Sequence, residues 1–179
     1  MDKDFCQLLW YNQVMRVNCF KPVIDGKCTV LILGSMPSVK SREAGFYYGN
    51  PANRFWKIMS AILNTDFTAL DNAAKAAELI KKRIALSDVF STCDIDGSMD
   101  GNIKNTEFND IPALIDGTEI KTVYITSKKA YRAFVGRFGE HFKTAGMEIV
   151  SLPSTSGANR SKFKTDEQLL AEWKRLFKI

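Results

Sequence analysis

The sequence predicts an α/β protein, a three-layer sandwich whose central, mainly parallel four-stranded sheet is flanked by helices. Three observations lead there. Four short apolar runs of strand length recur along the chain, segments with helical spacing of apolar residues separate them, and turn residues end the runs abruptly. Strands that alternate with helices at this spacing form a parallel sheet covered on both faces.

Taken in order, Phe5, Leu8, Leu9, Val14 and Met15 fit an irregular helix over Phe5 to Val17. Residues 1–27 are therefore expected as a helical extension packed on a single domain spanning residues 1–179. Thr29–Leu33 is the first strand, stopped by Gly34 and Pro37. After a long loop, Ala52 to Leu63 predicts a helix with Phe55, Ile58, Met59 and Ile62 on one face, which makes Phe55 a core residue. Asn72 to Arg83 is an Ala-rich helix whose Lys81, Lys82 and Arg83 offset its dipole, and Ile84–Val89 is the second strand. The Asp- and Gly-rich segment Asp94 to Asn105 predicts a solvated loop.

Ile111 to Ile115 is a short helix or turn, and Thr122–Thr126 is the third strand. Ser127 can cap a helix over Lys128 to Phe138. Met147 to Leu152 is the fourth strand, ended by Pro153, and Thr165 to Phe177 closes the chain as a helix with Thr165 and Gln168 spaced as a capping box. Right-handed crossovers bring the loops after the first and fourth strands to one edge of the sheet, where open α/β sheets bind ligands.

At 179 residues, 45% of them apolar, the chain can bury one full core. No apolar run is long enough to span a bilayer, and Met1-Asp2-Lys3-Asp4 lacks the basic-then-apolar order of a secretory signal, so a cytoplasmic protein with no membrane contact is expected. Cys6, Cys19, Cys28 and Cys93 show no paired spacing, and His141 is the single histidine; free thiols, no metal and no cofactor are the expectation. A net charge of +5 agrees with a polyanionic partner without requiring one. Its placement says more: Lys40, Arg42, Arg54 and Lys57 flank one loop, and Arg160, Lys162 and Lys164 follow another.

The first of those loops carries Gly-Ser-Met-Pro-Ser at 34–38, then Gly-Phe-Tyr-Tyr-Gly-Asn-Pro-Ala-Asn-Arg-Phe-Trp at 45–56. Three consecutive aromatic residues beside amide side chains suit a planar, hydrogen-bonding ligand such as a nucleobase. The second, Leu152-Pro153-Ser154-Thr155-Ser156-Gly157-Ala158-Asn159-Arg160, is rich in hydroxyls, which bind phosphate without reading sequence.

These motifs resemble the uracil-DNA glycosylase superfamily, and within it the hypoxanthine-DNA (deoxyinosine) glycosylases. The resemblance covers Thr29 to the C-terminus, and it implies a uracil-DNA glycosylase-like sandwich. The mismatch-specific uracil/thymine glycosylases share Pro-Ala-Asn-Arg-Phe-Trp, but they carry a catalytic asparagine where this chain has Met36. The resemblance therefore implies Asn53 as the essential amide, with Asn50 as its rival. Asn53 can equally be a helix cap. It further implies Tyr48 as the platform over a flipped base, with Phe46 and Tyr47 in reserve. The Ser35 and Met36 amides would bind a base carbonyl. Lys40, Arg54 and the loop Ser154, Thr155, Ser156, Gly157, Ala158, Asn159 and Arg160 would contact DNA. Of these, Ala158, Asn159 and Arg160 would enter the minor groove.

The implied activity is that of a monofunctional deoxyinosine glycosylase, acting as a monomer on double-stranded DNA with a damaged or mismatched base, hence found at the nucleoid. Extruding the nucleotide costs a few kcal/mol, least for a mispaired base. An asparagine can orient water but is no ordinary general base, so catalysis would rest on stabilising the leaving group. Glu43 or Asp88 can supply a conventional base instead, although Asp88 also suits a turn. Three alternatives stay open: a uracil or mismatched-thymine glycosylase, an inactive nucleic-acid-binding module, and a small α/β protein holding a nucleotide.

Overall fold

The computed structural model describes residues 14–96 and 103–178. Among the described residues its main sheet is four-stranded and wholly parallel, built from β2 (Val30–Gly34), β3 (Ile84–Asp88), β6 (Thr122–Ile125) and β7 (Glu148–Ser151). Across the sheet they lie in the order β3-β2-β6-β7. Every residue of β2 and β3 is buried, as expected of strands with helices on both faces. Val30 pairs with Ile84 and Gly34 with Asp88, so β2 and β3 end level with each other.

The two faces of the sheet follow from alternation along β2. Val30 and Ile32 enter one core with Phe55, Ile58, Met59, Leu79, Leu169 and Trp173. Leu31 and Leu33 enter the other with Ile111, Ala130, Phe134 and Phe142. Each fully buried side chain of this size contributes about 1.5–3 kcal/mol before chain entropy is charged against it. The first core lies under α2 (Phe55–Leu63), α3 (Asn72–Lys81) and α6 (Asp166–Leu176); the second lies under α4 (Ile111–Ile115) and α5 (Lys128–Thr144).

Local chemistry explains the helix starts. Asp71, Asp110 and Ser127 accept the backbone N–H three residues on from them, and Thr165 with Gln168 makes the reciprocal capping box that the sequence predicts. A short helix, α1 (Val39–Glu43), follows β2 and is capped by Ser38. Helix α2 begins at Phe55 rather than Ala52, because Asn53 and Arg54 still belong to the turn that feeds it.

Two expectations are corrected. Val14–Asn18 is a strand, β1, and not the end of a helix; residues 5–13 of that expected helix lie outside the described residues. The expected loop at Asp94 to Asn105 instead contributes to β4 (Phe90–Asp96) and β5 (Ile103–Phe108), with residues 97–102 outside the description. Together β1, β4 and β5 form an antiparallel sheet in the order β1-β4-β5. Exposed Arg16 holds it by donating to Thr92 Oγ1 at 2.6 Å and by pairing with Asp94 and Glu107. Residue Val23 pairs singly with Leu86, covering the outer edge of β3.

Candidate active site

The parallel strands deliver their C-terminal ends to one cleft of about 220 Å³. From the first motif come Gly34 to Ser38, Tyr47, Tyr48, Asn50 and Asn53; from the second come Ser154 to Gly157; Ser41, Asp88, Thr126 and Ser127 complete the lining. Two segments a hundred residues apart thus share one wall.

Their junction is built from main chain and one buried cation. The Arg54 N–H donates to the Thr155 carbonyl at 2.9 Å. Its guanidinium, 1% exposed, donates to the carbonyls of Phe163 at 2.9 Å and Thr165 at 3.3 Å, and Asp166 lies 3.7 Å away. Arg54, expected to touch DNA, is therefore corrected to a brace behind the cleft. On the same seam Gly157 approaches so closely that a Cβ there would stand 3.2 Å from the Ala52 carbonyl oxygen.

The three aromatic residues separate. Tyr48 adopts a left-handed φ of 53°, its ring stacks on Phe55 with centroids 3.8 Å apart, and its hydroxyl meets Thr126 Oγ1 at 2.9 Å. The Thr126 hydroxyl donates onward to the Leu33 carbonyl at 3.3 Å, which leaves the phenol as donor to Thr126. Burial pushes the Tyr48 phenol far above its ordinary range. Tyr47 is buried, and its hydroxyl lies 3.1 Å from the Phe20 carbonyl and 3.2 Å from that of Lys21, so most of it belongs to the core. Phe46 stacks on Trp56 and does not line the cleft.

Both amides of the first motif have their oxygen fixed. Asn50 Oδ1 accepts from Ala52 N–H at 2.9 Å, and Asn53 Oδ1 accepts from Phe55 N–H at 3.0 Å. Since only an oxygen can accept from N–H, the Nδ2 groups are the ends left over. Neither has a hydrogen-bond partner among the described residues. The Gly34 and Ser35 carbonyls accept from Val89 and Phe90 N–H, so the trans peptides turn the N–H groups of Ser35 and Met36 the opposite way. The Met36 side chain packs against Val17 and Cys93 of the antiparallel sheet.

In the second motif, Ser154 and Ser156 hydroxyls accept from Ser156 and Ala158 N–H, both at 3.3 Å, and Asn159 Nδ2 donates to the Ser154 carbonyl at 2.7 Å. The loop is thus held by its own side chains as a single 3₁₀ turn over Gly157–Ser161. Thr155 is buried, its Oγ1 unpartnered among the described residues, whereas Lys40, Ala158 and Arg160 are exposed.

Two residues carry more than the sequence reading gave them. Thr126 was expected only as a strand end, and Asp88 as a turn residue or a base. Asp88 is 3% exposed, and burial pushes its carboxyl up to about 7. Its Oδ2 has no hydrogen-bond partner among the described residues. The available signal was register: β2 and β3 end level only if Asp88 sits beside Gly34.

The family model of the uracil DNA glycosylase superfamily matches residues 22–178 of this chain, which belongs to that superfamily. It is 33% identical to a hypoxanthine DNA glycosylase of Methanosarcina barkeri over 159 residues, covering 88% of this chain and 98% of that protein. It is also 33% identical to one of Methanosarcina acetivorans, over 89% of this chain and 96% of that protein. A solution structure from Methanosarcina acetivorans, described as that of a candidate uracil DNA glycosylase, superposes with a TM-score of 0.75 at 32% identity, covering 91% of this chain and 97% of that one.

Proposed function

We propose that the protein is a monofunctional DNA glycosylase that flips a deaminated base, preferably hypoxanthine, from double-stranded DNA and hydrolyses its glycosidic bond. One observation carries this: Tyr48, Asn50 and Asn53 line the same cleft as Ser154, Thr155, Ser156 and Gly157, with exposed Lys40 and Arg160 in the two motifs. The names of the two similar Methanosarcina proteins support the base preference. The similar solution structure favours uracil as the second reading.

In this mechanism the everted base lies against Tyr48, whose ring is already fixed by Phe55 and Thr126. Base stacking on such a ring contributes about 1–3 kcal/mol toward the cost of unstacking. As the C–N bond lengthens, the sugar gains oxocarbenium character and the base gains negative charge. The Ser35 and Met36 N–H groups and the Nδ2 donors of Asn53 and Asn50 stabilise that charge. Water attacks the sugar carbon and a free base leaves. Among the described residues no lysine lines the cleft, which agrees with hydrolysis rather than Schiff-base chemistry. Lys40 and the loop Ser154 to Arg160 hold the backbone, with Ala158, Asn159 and Arg160 at the gap left in the stack. One chain supplies every part, so a monomer suffices.

The test is excision from duplexes holding a single inosine, uracil, xanthine or mismatched thymine, read as strand breaks after alkali. Cutting at inosine that disappears in Asn53→Ala is expected. Undiminished cutting by that variant removes Asn53 from the mechanism, and binding without cutting on all four duplexes removes the enzyme reading.

A further inference from the structure

Resting on that reading, we propose that Asp88 is the base-discriminating floor of the cleft, its carboxylate accepting the ring N–H that a base acquires when it is deaminated. The placement comes first. Asp88 ends β3 level with Gly34, lines the cleft and is 3% exposed. Gly34 has no side chain, and Asp88 Oδ1 fills the space a Cβ would need. The main chain there is fixed, because Asn109 Nδ2 donates to the Asp88 carbonyl at 2.8 Å.

The electrostatics come second. Cys19, Tyr47 and Tyr48 are titratable groups that interact with this carboxyl, and burial raises all three, so they are neutral near pH 7. No cation offsets the charge, and Oδ2 accepts nothing from the protein among the described residues. A buried acceptor in this condition is destabilised until a ligand brings a donor.

Deaminated bases bring one. Adenine has a lone pair at N1 where hypoxanthine has N1–H; cytosine has a lone pair at N3 where uracil has N3–H. A carboxylate attracts the N–H and repels the lone pair, so the floor sorts damaged bases from their parents. Guanine and thymine also carry the ring N–H, and their exclusion falls to cleft shape and to the cost of leaving a sound pair. Base contact is favoured over water activation because Asp88 is buried whereas Asn50, Asn53 and Ser156, which share the cleft, are half-buried and would be the ones to meet the sugar. Protonated Asp88 becomes a donor, so the sorting should weaken below the carboxyl's raised titration point near 7.

Full-length wild type, Asp88→Asn and Asp88→Leu are compared on inosine and adenine duplexes from about pH 5.5 to about 8.5, with binding of free hypoxanthine and free adenine measured by calorimetry. Wild-type kcat/KM at inosine should fall about tenfold per pH unit on the acid side. Asp88→Asn, which keeps an acceptor that does not titrate, should cut inosine with that limb flattened, and Asp88→Leu should lose about a hundredfold or more. An unchanged acid limb in Asp88→Asn, or an intact inosine preference in Asp88→Leu, overturns the proposal. If wild type cuts nothing, the glycosylase reading fails by itself. Preference for free hypoxanthine over adenine near pH 8 that Asp88→Leu abolishes then still supports the floor, and absence of that preference overturns it.

Discussion

A Cβ on Gly34 would stand 2.3 Å from Asp88 Oδ1 and 3.4 Å from the Tyr48 hydroxyl, so the glycine is what admits both groups to the end of β2. Gly34→Ala must push the carboxyl aside, since the neighbouring main chain is paired in the sheet. We expect a stability loss of about 1–3 kcal/mol, the usual cost of overpacking. Excision at inosine should fall well over tenfold, which steady-state kinetics beside thermal melts will separate from misfolding.

Asp88 also makes stability depend on pH. Its carboxyl titrates near 7 in the fold against an ordinary 3.8, so the unfolded chain ionises first and each pH unit in that window costs the fold about 1.4 kcal/mol. The loss begins as pH rises past the ordinary value and is complete above the folded one. Asp88→Asn should therefore raise the unfolding free energy near pH 8 by up to about 4 kcal/mol and change it little near pH 4, as urea titrations at the two pH values will show.

Tyr48 depends on Thr126 for its position. Thr126→Val removes the acceptor at 2.9 Å and leaves a buried phenol unpaired, which should cost about 1–3 kcal/mol and raise KM, while Thr126→Ser should behave as wild type. A loss in Thr126→Ser with none in Thr126→Val would mean that the methyl, not the hydroxyl, matters.

Arg54 and Arg160 should part company in their response to salt. Arg54→Ala should lower stability by about 1–3 kcal/mol, because it leaves the Phe163 and Thr165 carbonyls without their donor. Exposed Arg160→Ala should leave stability nearly unchanged and reduce the slope of log affinity against log salt by about 0.9. Binding of an undamaged duplex over a salt series measures the second, chemical denaturation the first.

Asn53 serves the helix and faces the cleft at once, and Asn53→Ser divides the two. Serine can still accept the Phe55 N–H, so stability should stay within about 0.5 kcal/mol of wild type, whereas Asn53→Ala should lose about 1 kcal/mol. Excision should fall in both to the same extent if the Nδ2 donor is what matters.

What could be read from the chain was what is local or apolar. Val30–Leu33 and Ile84–Val89 announce buried strands, and Thr165 with Gln168 announces a helix start, because hydrophobic runs and caps act over a few residues. The antiparallel sheet escaped because its pairing is distant: Arg16 meets Asp94 and Glu107, and polar residues populate β4 and β5. Val14 and Met15 suited helix and strand alike until β4 supplied a partner. At the site, residue types such as Tyr48 and Asn53 drew attention by chemistry. Arg54 misled for the same reason, since only the fold reveals that its charge points away from solvent.

The brace formed by Arg54 has a mechanical corollary. Its anchors at Phe163 and Thr165, together with the main-chain link to Thr155, lock the amide-bearing turn and the hydroxyl-rich turn into one rigid jaw from the rear. Under the proposed glycosylase function, a grip assembled before contact spends none of its strength on closing, which leaves the energy of docking for drawing the base out of the stack.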